Sequence, residues 1–457
     1  MKEIKKTYLF FLVLFIVLPA VFLPDGKPIL AANHTYYVDC GAGNDSNAGN
    51  EEKPFGSMQK AADTVQPGDI VIVKDGIYNE SVDIKISGNK DEAIIFLAEH
   101  AGSVLLDGEG TLRYGFKLEN GDYVRIEGFS FVNYSSYAIV GSESVSCAEI
   151  VNNDICGMTE NAEAAVKLNK ALKSSIQSNR IHDIGCDGIV SMTGGTNAFI
   201  SNTFHNITAR AIVLNFEDNS LISANTFDTV DTALYLCEKS KAVAVRGNSI
   251  LGCGTALLLD SAERITLGYN VIENPILFNG AGNKNITFEH NLFLTTLVIS
   301  EGAESFHVID NIVDGIALPE SGNYRLSHNL HLSLHPSMSE SSMGEGSQMV
   351  ADKESNFADY GNGDFRLSPG GAACAIAPLT GVYVGPKYML ADLNGDREIT
   401  DEDIDLIVDY IMNREMLSLD ALEAGDVSGN GEVSGIDGSY IWQYIQGDID
   451  KFPVEVR

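Results

Sequence analysis

The 457-residue chain carries 63 Asp and Glu against 30 Lys and Arg, for a net charge of −33 and a pI near 4.5. That balance excludes nucleic acid and anionic membrane as partners, because no basic patch is present to release counterions. The length accommodates two or three domains, and the acidic residues crowd toward the C-terminus.

In chain order, the first element is an export leader over residues 1–32. Lys2, Lys5 and Lys6 precede an apolar run from Tyr8 to Leu18 that Pro19 interrupts. The run is short for a membrane span, and small residues at Ala20 and at Ala31-Ala32 are candidate cleavage points. The alternative is an uncleaved N-terminal anchor. After leader removal no membrane association is expected, and the protein is extracellular. Residues Ser57 to Val65 then form one short amphipathic helix, succeeded by Pro67-Gly68-Asp69 and a strand over Ile70 to Lys74. That helix is suited to closing the mouth of a solenoid.

The middle of the chain is a repeat. An Asn with a large apolar residue two positions later starts at Asn153, Asn179, Asn202, Asn225, Asn248, Asn270, Asn291 and Asn311, at intervals of 26, 23, 23, 23, 22, 21 and 20 residues. Within each unit a small residue precedes an apolar-any-apolar triplet, as at Gly188, Ala211, Ala233 and Ala256, and an apolar pair such as Val243 and Val245 precedes each Asn. Three short period-2 segments per unit predict a parallel β-helix with three-strand coils, about ten to twelve in all. Like positions then stack about 4.8 Å apart. The Asn column is expected to bond backbone groups of the coils above and below. The segment Gly363 to Pro369 is expected to close the repeat.

Seven cysteines, Cys40, Cys147, Cys156, Cys186, Cys237, Cys253 and Cys374, form no metal-ligand spacing. Buried free thiols are expected, with a local Cys147–Cys156 disulfide as the alternative.

Aligning the second strand of each unit stacks Ala164, Asp187, Arg210, Thr232, Thr255 and Asn274 in one column, and Lys167, Val190, Val213, Tyr235, Leu258 and Leu277 in another. Lys167, Asp187 and Arg210 are thereby candidates for one acid–base cluster, with Asp183 on the preceding turn and Glu217 and Asp218 on a later one. A uronan lyase needs a cation or calcium to neutralise the sugar carboxylate and a Lys or Arg of lowered pKa to take the adjacent proton. A hydrolase needs two carboxylates, about 5 Å apart for retention or about 6.5–9.5 Å for inversion. The bland alternative is a surface ion pair between Asp187 and Arg210. His182, His205, His290 and His328 sit at turns beside the Asn column, where capping or solvent contact is the expected role.

Two acidic loops stand 34 residues apart near the C-terminus. Asp392, Asn394, Asp396, the carbonyl of Glu398, Thr400 and Asp403 fall at loop positions 1, 3, 5, 7, 9 and 12, and Asp426, Ser428, Asn430, the carbonyl of Glu432, Ser434 and Asp437 repeat them. This spacing wraps hard oxygens around calcium. Helices are predicted over Ile404 to Met412 and Asp437 to Gln446. Position 12 is Asp rather than Glu, and Arg397 takes position 6, where glycine ordinarily makes the sharp turn.

The duplicated loops, with Asp450-Lys451-Phe452-Pro453, resemble type I dockerins. That resemblance implies two calcium ions and a cohesin module of a scaffoldin as partner, with Asp401-Glu402 and Gly435-Ile436 at the positions that choose the cohesin. Because those pairs differ, the two halves are not equivalent. The opening segments Tyr36-Tyr37-Val38-Asp39, Gly43 to Gly49, Lys53-Pro54-Phe55 and Gly76-Ile77-Tyr78 resemble secreted right-handed β-helix proteins active on polysaccharides, among them family 9 polysaccharide lyases. The likeness implies a mainly β, right-handed parallel β-helix over 33–380, a joint over 381–388 and a small all-α, EF-hand-like dockerin over 389–457. It implies a cellulosome-associated enzyme acting on plant cell-wall polysaccharide, pectic above all, as a lyase or glycoside hydrolase, and leaves a further calcium in the β-helix open. Cys186 to Met192 resembles the strand on which those lyases carry a calcium-binding Asp and a catalytic Lys. Asp187 matches the acid, but Met192 stands at the Lys position. The alternative is a non-catalytic, polysaccharide-binding or structural β-helix.

Overall fold

The structure is a computed structural model, in which residues 33–119, 121–280, 282–299, 303–319, 323–336, 338–339, 342–350, 354–359, 364–368, 390–394, 399–411, 417, 419–428, 433–447, 449 and 451–453 are described. The expected leader over 1–32, the joint over 381–388 and Cys374 lie outside them. Among the described residues no helix is long and apolar enough to cross a membrane.

The period-2 segments become three stacks of parallel strands. One stack is a 13-stranded sheet, from Thr35–Val38 to Asn323–Ser327, with one strand from each coil. The other two stacks share a 20-stranded sheet. The coils therefore exceed the expected ten to twelve. The surplus lies at the ends, where the Asn signature is missing and only the strand pattern marks a coil. Inward columns run in register from coil to coil. Ile189, Ile212, Leu234, Leu257 and Ile276 form one column, and Ile181, Phe204, Phe227, Ile250, Ile272 and Phe293 another. All are nearly inaccessible and belong to one continuous core, each burial contributing roughly 1.5–3 kcal/mol. At one of the small positions before the apolar triplets, Gly188, the cause is steric. A Cβ added at Gly188 would lie 2.5 Å from the carbonyl oxygen of Ala211 in the next coil.

The Asn column behaves as expected. The Asn225 Oδ1 accepts from the backbone N–H of Asn202 at 2.9 Å and from its side-chain amide at 3.0 Å. Its own amide donates to the Phe199 carbonyl at 2.8 Å and to Asn248 Oδ1 at 2.9 Å. The ladder runs on to Asn329, which the sequence signature misses because the residue two positions later is His331.

The bends carry left-handed residues in register. One column is Lys173, Thr196, Asn219, Ala242 and Arg264, with φ of 54, 56, 53, 54 and 55°. Each costs about 1–2 kcal/mol in a residue with a Cβ. The cost is offset because the bends keep the ladder bonded: Thr196 N–H donates to the Asp218 carbonyl at 2.8 Å and Asn219 N–H to that of Lys241 at 3.1 Å.

At the N-terminal mouth the helix is the single turn Met58–Ala62, capped by Ser57, with Met58, Ala61 and Ala62 buried. It is shorter than the predicted span but serves the expected closure. At the other end Phe357–Asp359 and Asp364–Leu367 form an antiparallel pair. Phe357 and Leu367 pack on Leu292, Ile312 and Leu330, a cluster separate from the internal core. These three face away from their inward neighbours Phe293, Val313 and His331, so the closing segment covers the flank of the last coils.

The C-terminal segment is helical: Asp401–Ile411, Leu419–Gly425 and Gly435–Gln446. The middle helix was not predicted. Its Ala421 joins Leu390, Leu393, Ile407, Val427, Ile441 and Phe452 in a small separate core. The described cysteines are all free, Cys147 and Cys156 included. Burial pushes the Cys186 and Cys253 thiols up to about 12, which leaves them protonated and unreactive.

Candidate functional site

The second strand of successive coils places a strip of side chains on the outer wall. In register along it run Asp83, Lys117, Val140, Lys167, Val190, Val213 and Tyr235. Beside it stand Tyr114 and Tyr137. Three cations lie over three tyrosine rings: Lys117 over Tyr114 at 5.9 Å, Lys167 over Tyr137 at 5.6 Å and Arg210 over Tyr235 at 5.2 Å from the centroid. Tyr137, Val140, Ala164, Val190, Val213 and Cys237 form the apolar floor between them, with Met192 packed alongside.

Each cation also has a carboxylate. Arg210 donates Nε and Nη2 to the two oxygens of Asp187 at 2.9 and 2.6 Å, a bidentate pair. Lys167 Nζ meets Glu163 at 2.9 Å, and Lys117 pairs with Glu119. Glu163 is held below the usual carboxylate range by hydrogen bonds from Tyr137 and then Lys167. The hydrogen bonds to Asp187 raise the Arg210 pKa, against the lowering expected of a proton-abstracting base.

The expected single cluster therefore divides into three. Lys167 stands opposite Val140 and Val190, not Asp187, and turns to Glu163. Asp187 and Arg210 bind each other. Asp183 belongs to a turn cluster on another edge: His182 Nδ1 lies 2.6 Å from Asp183 Oδ2, His182 Nε2 lies 3.0 Å from Asp154 Oδ1, and Asn206 donates to Asp183 Oδ1 at 2.6 Å. The hydrogen bonds from Asn206 and then His182 hold the Asp183 carboxyl below its usual range. His182 is thus a nearly buried ring clamped by two acids rather than a solvent-facing cap. His205 pairs with Asp228 at 2.9 Å and His290 stacks on Tyr269. Glu217 is fully buried among Ser191, Asn197 and Ser220, and Asp218 faces Lys241, both away from the strip. Tyr114 and Tyr137 were missed in the sequence, and Tyr235 was placed in its column without its cation. Their register was readable, but their pairing with cations depends on side-chain direction.

In the C-terminal loops the position-12 acids close the turns. Asp403 accepts from the N–H of Leu393 at 2.8 Å and of Thr400 at 2.9 Å, and Asp437 accepts from Ser428 and Ser434, both at 2.9 Å. Asp392, Asp403 and Asp437 are almost inaccessible, and Ser428 is buried beside Asp426, 3.3 Å away. An all-oxygen donor set with buried carboxylates in one short loop fits a hard divalent cation, since buried charge is costly without a counter-charge. Asp396, Glu398, Asn430 and Glu432 lie outside the described residues.

Comparison with known proteins adds three family matches: "Pel9A-like, right handed beta helix region" over residues 36–187, "Right handed beta helix region" over 146–293, and "Dockerin type I domain" over 390–446. An uncharacterized protein, YwoF, of Bacillus subtilis (strain 168) is 34% identical over 67 residues, 15% of this chain and 14% of that protein. The solved structure of XylC with xylose covers 66% of this chain and 76% of its own, with a TM-score of 0.54 and 12% identity, a likeness of fold. A GH136 lacto-N-biosidase from Eubacterium ramulus covers 70% and 67% with a TM-score of 0.49 and 16% identity. Pectate lyase Pel9A covers 73% and 84% with a TM-score of 0.48 and 16% identity.

Proposed function

We propose that this chain, a right-handed β-helix protein bearing a type I dockerin, is a secreted cellulosomal component that acts on plant cell-wall polysaccharide of pectic type. In this reading residues 33–380 are the β-helix, 381–388 the joint and 389–457 the dockerin. The observation that carries it is the outer strip, where Tyr114, Tyr137 and Tyr235 each lie under a cation. Tyr114 and Tyr235 are part-exposed, amphipathic surface for a sugar ring, Tyr137 is buried in the floor beneath Lys167, and the cations are placed to meet sugar carboxylates.

Lyase chemistry is placed ahead of hydrolysis. A uronate carboxylate competes with Asp187 for the Arg210 guanidinium, which would neutralise the acid and favour loss of the adjacent proton. Lys167 is the proposed acceptor of that proton, for which it must part from Glu163 and give up its own proton. As the proton leaves, the bond from the neighbouring ring carbon to the glycosidic oxygen breaks, a carbon–carbon double bond forms, and the departing oxygen takes a proton from water. The pairing of both cations in the free protein, with Met192 at the position where a lysine is expected, favours a second reading: a module that binds the glycan without cleaving it. Dockerin ligands are proposed as Asp392, Asn394, Asp396, Glu398, Thr400 and Asp403 for one calcium and Asp426, Ser428, Asn430, Glu432, Ser434 and Asp437 for the other, with a scaffoldin cohesin as partner.

The test is a panel of pectate, pectin, rhamnogalacturonan, alginate and xylan, with and without calcium. Unsaturated-product absorbance and new reducing ends are recorded together. Both rising on an acidic polysaccharide supports the lyase. Reducing ends alone turn the assignment to a hydrolase, and tight binding with neither signal turns it to the binding module.

A further inference from the structure

Where the outer-wall strands end at Asn215 and Cys237, the chain turns and leaves a cleft of about 720 Å³ along the solenoid axis. One wall is made of left-handed residues, Thr193, Phe216, Lys239 and Ser261, with φ of 58, 51, 69 and 59°; Glu238, at 54°, takes the register position of Phe216 in its coil, next to Lys239. The facing wall is a register of alternating charge, Asp218, Lys241, Glu263 and Lys284. In it Asp218 meets Lys241 at 3.2 Å and Glu263 meets Lys284 at 3.8 Å. Glu217 lies in the floor with its carboxylate already accepting from Ser191 Oγ at 2.9 Å, Asn197 Nδ2 at 2.6 Å and Ser220 Oγ at 2.7 Å. The floor is therefore rigid, and the binding groups are on the walls.

Three features of those walls are unused by the fold. Phe216 is 49% exposed in a backbone conformation that bulky residues rarely adopt, and it adds nothing to the core. Lys239 has no hydrogen-bond or ion-pair partner among the described residues. Asp218 Oδ1 is buried without a hydrogen-bond partner, and a hydroxyl in the cleft reaches it when the carboxylate of this part-exposed side chain turns outward. An exposed aromatic ring, an unpaired cation and an unfilled acceptor match a sugar ring, a carboxylate and a hydroxyl. Three coil-to-coil steps of about 4.8 Å make the cleft roughly 14 Å long, enough for a short oligosaccharide. Its volume falls in the range of ligand pockets. Three lysines and three carboxylates line the cleft, and Lys241 and Lys284 are paired within it, so the case for an acidic ligand rests on Lys239, whose charge is left to meet a carboxylate.

We propose that this cleft binds an acidic, uronate-bearing oligosaccharide, with Phe216 stacking on a sugar face and Lys239 pairing with a carboxylate. The assignment rests on the polysaccharide reading above and adds a second contact surface around the corner from the tyrosine strip. It gives an acidic chain two places to be held on one module.

The experiment is calorimetric titration of tetragalacturonate, and of a neutral tetragalactoside, into the full calcium-loaded chain. Lys167→Ala serves as the background, so that cleavage does not intrude. Phe216→Ala and Lys239→Glu are each expected to weaken one tetragalacturonate site by roughly tenfold or more, the scale of a single hot-spot contact. Lys239→Arg is expected to retain that site, and so is Arg210→Ala. Unchanged affinity in both Phe216→Ala and Lys239→Glu overturns the proposal, as does equal binding of the neutral tetrasaccharide. Pectate turnover by the chain without the background substitution reads the outer strip independently. Cleft binding without turnover removes the lyase reading alone, and turnover without cleft binding removes the cleft alone.

Discussion

His331→Leu is expected to stabilise the protein, and more so at acid pH. His331 occupies the inward column between Val313 and Met349, is inaccessible, and has no partner for either ring nitrogen. Burial pushes its pKa down from 6.5 to about 4. Above pH 6.5 the ring is neutral in both states and contributes no pH dependence. As the pH falls from 6.5 toward 4, the unfolded chain takes a proton that the folded chain refuses, and stability is lost. A gap of about 2.5 units at about 1.4 kcal/mol each corresponds to a loss of about 3 kcal/mol by pH 4. Leucine removes that loss and the two unsatisfied nitrogens, whose burial costs about 1–3 kcal/mol at any pH.

Asp310 works in the opposite direction. Burial raises its pKa to about 6, so the folded chain binds its proton first and gains stability as the pH falls below 6. It is common to parent and variant, so the difference between their unfolding midpoints isolates His331. Far-UV circular dichroism in urea is the assay, because the single tryptophan, Trp442, lies in the C-terminal helices and does not report on the solenoid. A parent–variant gap that is constant from pH 7.5 to 4.5, or a variant less stable throughout, refutes the reasoning.

The same geometry sets three other outcomes. Asn225→Ala leaves the Asn202 N–H and the Phe199 carbonyl without their side-chain partner and is expected to cost about 2–5 kcal/mol in urea unfolding, whereas Thr226→Ala on the outer face costs under about 0.5 kcal/mol. Gly188→Val drives side-chain atoms onto the Ala211 carbonyl and is expected to cost about 1–3 kcal/mol by the same measurement. Chelating calcium is expected to melt the helices Asp401–Ile411 and Gly435–Gln446, seen as a shift in Trp442 emission, and to abolish cohesin binding; both signals unchanged in chelator contradict the proposed ligand sets.

Much of the solenoid was legible because inward and outward side chains alternate and each Asn meets the same backbone groups one coil on. Asn329 escaped because His331 breaks the apolar rule in the coil where it is buried. The bends were invisible: Lys173, Thr196, Asn219 and Ala242 share one left-handed geometry but no side-chain property. For the same reason Phe216 and Lys239 did not stand out, since turn columns have no shared residue type. Register correctly placed Asp187 one coil from Arg210, and the two form a bidentate pair. It could not show that Lys167 turns along its own strand to Glu163, because register fixes where a side chain starts and not where its end lies. The duplicated C-terminal loops were legible as a spacing, which local chain geometry sets, and the position-12 acids Asp403 and Asp437 close their turns. The helix Leu419–Gly425 between them carries no such spacing and was missed.

The most direct test of the central claim is the initial rate of unsaturated-product formation on calcium-supplemented pectate by the full chain and its Arg210→Ala variant. The expected result is product from the parent and a loss of roughly a hundredfold or more in the variant, the scale of a removed charge-stabilising group. No product from the parent, or equal rates from the two, would contradict the assignment of the chemistry to the tyrosine–cation strip.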